Sequence, residues 1–128
     1  MKDDHAPKYF LCRLIPPRPT FAVDMTPNEA EAMQKHVAYW TELAGKGTAI
    51  AFGPVADPKG VWGMGILAVK DEAELQHLQD HDPAIRAGIG MNYEAYPMPR
   101  VIAGGNSAEV GSPVLSRAAR GLARVARP

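Results

Sequence analysis

His36 is the side chain in this sequence best placed to do chemistry. It lies in the run Thr26–Gly47, TPNEAEAMQKHVAYWTELAGKG, where Met33, Val37, Trp40 and Ala44 recur at the spacing of one helical face. At roughly 100° per residue, His36 projects about 60° from Met33, on the shoulder of that face beside Trp40 and Leu43. An imidazole on half-buried ground has a tunable protonation state and suits a proton shuttle. The plainer reading is a histidine that only packs on the helix shoulder. Arg13 interrupts the apolar run KYFLCRLI, where it would bind an anionic substrate or else pair in a salt bridge or at a sheet edge. Asp57, in PVADPKG, would supply a carboxylate to a site or stabilise its own turn. Trp40, Trp62, Met33 and Met64 read as core or as the wall of a pocket. Gly53, Gly63 and Gly65 either leave room for a small ligand or let a helix pack close. His77 and His81 stand four apart, but a solvated helix face is the stronger reading and no metal is expected. Cys12, in an apolar strand, reads as buried packing rather than a nucleophile.

The elements that must hold these groups follow from local signals. Lys8–Ile15 is expected to be a strand, and PPRPT at Pro16–Thr20 breaks it into an extended loop. Thr26 caps the long helix, with Pro27 at its first position and Glu29 three residues after the cap. Gly45 and Gly47 end it. Thr48–Gly53 is expected to be a strand with Thr48, Ile50 and Phe52 on one face and Ala49, Ala51 and Gly53 on the other. Pro54–Gly60 is read as a turn. Val61–Val69 is a third strand, with Trp62, Met64 and Ile66 opposite Gly63 and Gly65. Asp71 caps a second helix that carries Leu75 and Leu78 inward, and Asp82-Pro83 breaks it and caps one more turn. Residues 91–98 make a last strand, with Pro97 at an edge or its end. Strand, helix, strand, strand, helix, strand is the α+β, ferredoxin-like βαββαβ order, with both helices on one face of an antiparallel sheet. The uncovered face would be apolar, so a homodimer through the sheet faces is expected.

At 128 residues the chain fits one core domain. Residues 1–103 hold 10 Lys/Arg against 13 Asp/Glu, net −3, which argues against nucleic-acid binding. Residues 104–128 hold four Arg and one Glu, net +3, and form a basic extension in which Val114–Arg127 has amphipathic helical spacing. That extension reads as a weakly packing helix or as a segment docking on an acidic surface. One cysteine, no signal-like N-terminus and no long apolar run point to a cytoplasmic protein with no membrane contact.

HVAYWTELAGKGTAIAFGPVADPKG, then GVWGMGILAV, then HDPAIRAG, in that order, resemble the YCII-related (YciI-like) family, and the resemblance covers residues 8–102. The resemblance implies a ferredoxin-like fold, a dimeric α/β barrel and a histidine–aspartate pair in a cleft. It places that pair at His36 and Asp82. The family often carries an acidic residue before this aspartate, where His81 stands here. Some relatives are lyases that remove chloride from chlorinated hydroxyquinol-type aromatics. An Asp82 carboxylate on one ring nitrogen of His36 would prepare the other as a base; alternatively Asp82 only caps the turn at Pro83.

Two functions are therefore expected to compete. One is a small-molecule acid–base enzyme of lyase or isomerase type, with His36 and Asp82 catalytic and Arg13, Trp40 and Asp57 binding substrate. No phosphate loop, dinucleotide fingerprint or cysteine cluster is present, so no cofactor is expected. The other is a non-catalytic dimeric module that binds a small metabolite or a partner protein.

Overall fold

The computed structural model describes residues 6–104. The expected amphipathic segment Val114–Arg127 lies outside the described residues. The elements are β1 (Lys8–Ile15), α1 (Phe21–Asp24), α2 (Pro27–Gly45), β2 (Ala49–Val55), β3 (Trp62–Val69), α3 (Glu72–Asp80), α4 (Pro83–Arg86) and β4 (Asn92–Met98). The sheet runs β2-β3-β1-β4 with every neighbouring pair antiparallel. This is the expected α+β, ferredoxin-like arrangement. No helix among the described residues is long and apolar enough to cross a membrane.

Side chains alternate across the sheet. On β1, Phe10, Cys12 and Leu14 are buried toward the helices, and Leu11 and Arg13 point to the opposite face. On β3, Gly65, Leu67 and Val69 are the buried set. Trp40 and Leu43 from α2 and Leu75 from α3 close over Phe10, Cys12, Leu67 and Val69. A smaller cluster joins Leu14, Phe21, Ala84 and Met91.

Capping decides where the helices begin. Thr26 Oγ1 accepts from the Glu29 amide at 3.1 Å, and the Thr26 amide donates to Glu29 Oε1 at 2.9 Å. Two amides with no intrahelical partner are thus satisfied reciprocally. Helix α2 stops at Gly45, and Gly47 takes a left-handed conformation with φ of +82°. Asp71 caps α3 by accepting from the Glu74 amide.

Three local expectations need correction. Residues 21–24 form a short helix, α1, that the proline-rich stretch before it obscures. Strand β2 runs on through Pro54 and Val55, which were expected in the turn; β2 is an edge strand, where a missing ladder donor is tolerated. The even alternation expected along β2 is also broken. The register slips between Ala49 and Ala51, so Ala49 and Phe52 both serve the core while Ile50 is exposed.

The buried stripe of α2 also differs from expectation. It follows Ala32, Trp40 and Leu43, while Val37 is 51% exposed and Ala44 is exposed. Gly65 explains the rotation. A Cβ there would lie 2.4 Å from the Trp40 ring, so the glycine is the notch that seats the indole and turns α2 toward the sheet. His36 is half-buried beside Trp40, at the margin of that stripe.

Candidate functional site

The His36 Nδ1 atom lies 2.9 Å from both oxygens of Asp82, across 46 residues of sequence. Helix α2 brings the imidazole and the N-terminus of α4 brings the carboxylate. Asp82 is fully buried, and it also accepts from the Ala84 amide at 2.9 Å as the cap of α4. Capping and pairing with His36 are therefore not alternatives: one carboxylate does both. Its second oxygen accepts from Trp40 Nε1 at 3.0 Å and, in a short hydrogen bond, from the Tyr93 hydroxyl. The Trp40 indole N–H also lies 3.0 Å from the Tyr93 oxygen.

Four donors from α2, α4 and β4 thus converge on one buried carboxylate. Burial alone would push its pKa up. The hydrogen bond and charge of His36, then the Tyr93 hydroxyl and the Ala84 amide, outweigh that and hold Asp82 below its usual value. Asp82 is accordingly ionised at neutral pH. Burial, reinforced by the charge of Asp82, pushes the Tyr93 hydroxyl well up, so it stays protonated and donates. The same two causes raise Tyr39 to about 12, and its hydroxyl donates to the Leu78 carbonyl.

With Nδ1 occupied by Asp82, His36 presents Nε2, which has no hydrogen-bond partner among the described residues. The histidine lines a cavity of about 260 Å³ between α2 and the sheet, roofed by the segment around α1. Trp40, Met33, Val37, Phe52, Phe21 and Tyr93 form much of the wall. Asp82 does not line it and reaches the cavity only through His36. Cys12 lines the cavity too, but burial, partly offset by a hydrogen bond from Gln79, raises its thiol to about 11, so it is not a thiolate at neutral pH.

A model of the YCII-related domain matches residues 9–99 of this sequence. The chain belongs to the YCII-related family. No curated protein matches it. Among solved structures, this family member is similar to the crystal structure of the NE2512 protein of unknown function from Nitrosomonas europaea. The two share 17% sequence identity with a TM-score of 0.43, over 80% of this chain and 99% of that one.

In this YCII-related chain the other candidate residues separate from the pair. Arg13 points to the sheet face away from the cavity. Its guanidinium lies 3.2 Å from Glu94 and stacks 4.4 Å from the centroid of the Trp62 ring. Asp57 stays in the β2–β3 turn, accepting from the Lys59 amide at 2.9 Å and from Trp62 Nε1 at 3.0 Å. It does not line the cavity and acts on it only by fixing Trp62. His81 Nδ1 sits 2.8 Å from the His77 carbonyl, with the two rings 4.0 Å apart.

Two contributors carry little sequence signal of their role. Tyr93 reads as part of an ordinary strand, and no local signal marks it as the donor to Asp82. Arg18, read only as part of a proline-rich loop, donates to Asp24 and to both oxygens of Glu29. It thereby ties α1 to the start of α2 above the cavity. A positive side chain six residues before Asp24 and eleven before Glu29 was the available hint.

Proposed function

We propose that this protein is a cofactor-independent acid–base catalyst of lyase or isomerase type acting on a small molecule. The observation that carries this is the His36–Asp82 contact at the wall of an apolar cavity. Asp82 holds the proton on Nδ1, so Nε2 is the lone-pair nitrogen that faces a ligand. His36 removes an acidic hydrogen from the substrate and returns it to the carbon or leaving group of the next step. Asp82 acts as the positioning carboxylate that stabilises the imidazolium formed in between. Trp40 supports Asp82 and walls the cavity.

The working unit is a homodimer formed through the open sheet faces. Leu11 and Ile66 pair on that face and Tyr96 is 47% exposed beside them. The buried Nε of Arg13 has no acceptor among the described residues, a deficit a second copy would fill. A soluble, cytoplasmic setting accords with this reading.

NMR of the histidine ring nitrogens tests the mechanism. The His36 signals, assigned by their loss in His36→Gln, should show the proton held on Nδ1, and that tautomer preference should weaken in Asp82→Asn, where the accepting carboxylate is gone. A His36 tautomer that ignores Asp82 leaves the non-catalytic binding module as the better reading.

A further inference from the structure

We propose that the cavity beneath α2 selects an uncharged, mainly apolar molecule of about one ring, with a single hydrogen-bonding group for His36. This rests on reading that cavity as the ligand site. None of the side chains lining it belongs to Asp, Glu, Lys or Arg. The nearby guanidinium groups are committed elsewhere. Arg13 is engaged with Glu94 and Trp62 on the other sheet face, and Arg18 is engaged with Asp24 and Glu29.

The charge of the pair reinforces the selection. With a neutral imidazole, His36 and Asp82 together carry −1; with a protonated one they carry zero. The centre is never positive, so a carboxylate entering it loses hydration and gains no counterion. An ammonium ion fares no better, because the Asp82 oxygens are filled by four donors and shut behind His36. Its remaining acceptor would be one imidazole nitrogen. Size sets the other limit. An apolar cavity of about 150 Å³ holds benzene, so 260 Å³ admits a substituted ring. Met33 and Met91 in the wall can adjust to its outline.

Intrinsic fluorescence reads occupancy, because Trp40, one of two tryptophans in the chain, walls the cavity beside His36. The full chain is titrated at about pH 7.5 with p-cresol, benzoate and benzylammonium, three probes of similar size and different charge. Saturable binding of p-cresol is expected, with the two ions at least about tenfold weaker. Val37→Phe, which narrows the cavity from its exposed side, should weaken p-cresol by about tenfold as well. Benzoate or benzylammonium binding as tightly as p-cresol overturns the proposal, and so does the absence of saturation by p-cresol or its indifference to Val37→Phe. The titration involves no turnover. An inert His36 would therefore sink the catalytic reading and leave this selectivity standing, while a preferred ion would do the reverse.

Discussion

Asp82 is the residue on which the site depends, because it is a buried charge whose cost is met by four hydrogen bonds. Removing one donor should be felt in proportion. Tyr93→Phe leaves Trp40 and His36 in place and deletes one hydrogen bond to a charged acceptor, an interaction of about 1.5–3 kcal/mol. Urea unfolding should register a loss in that range. The same substitution removes one of the hydrogen bonds that hold Asp82 below its usual value, so the acid loss of stability should begin at a higher pH in Tyr93→Phe than in the wild type. An unchanged acid limb would show that the hydroxyl does not act on the carboxylate. The pH dependence of stability follows from the depressed pKa of Asp82. A carboxyl whose folded pKa lies below its unfolded value, about 3.9, contributes stability fully present above the unfolded value. That stability is lost as pH falls through the folded one. Denaturation midpoints should therefore drop steeply below about pH 4, and Asp82→Asn should flatten that drop.

Among the elements, the fit of α2 against β3 decides where His36 points. Gly65→Ala places a methyl group against the Trp40 ring, which is only 3% exposed and hydrogen-bonded to Asp82. Overpacking of this kind costs about 1–3 kcal/mol. The substitution should lower thermal stability by that amount and shift the Trp40 indole N–H resonance. Gly63→Ala, whose new atom would meet Leu14 at an ordinary 3.6 Å, should do neither. The second coupling is Arg18, which hydrogen bonds both Asp24 and Glu29. The hydrogen bonds from Arg18, then that from the Thr26 amide, pull Glu29 down to about 2. The cluster is exposed, so its effect on global stability should be small. Its effect on the roof should not: Arg18→Gln should increase hydrogen exchange at residues 20–25 while leaving β1 and β3 unchanged. Equal exchange in both proteins would show that the roof is held by Phe21 packing alone.

For the whole molecule, the proposed dimer rests on the open sheet face. Light scattering on the full chain should give twice the chain mass, and Leu11→Asp, which buries a charge in the centre of that face, should give the single mass. A wild-type monomer would remove the dimer from the proposed function. Residues 104–128 lie beyond the matched residues 9–99 and are proposed to be a separate basic extension. Truncation after residue 103 should move the thermal midpoint by less than about 2 °C and leave the mass ratio unchanged.

Much of this architecture was legible in the sequence because its signals are local. The Thr26–Glu29 box, Gly47, the Asp71 cap, the apolar run of β1 and the period-2 faces of β3 depend on neighbours within four residues, and each appears in the structure. His36 was legible as a polar group on an apolar helix, and its pairing with Asp82 came from resemblance, not from spacing. What lay out of reach was whatever depends on contacts between elements. The β2 bulge, the rotation of α2 onto Gly65, the removal of Arg13 to the far face and the arrival of Tyr93 at Asp82 are such cases. Periodicity ranks the faces of a helix, but only packing against a particular notch in a particular strand chooses the angle at which that helix sits. That angle decides which nitrogen of His36 meets Asp82.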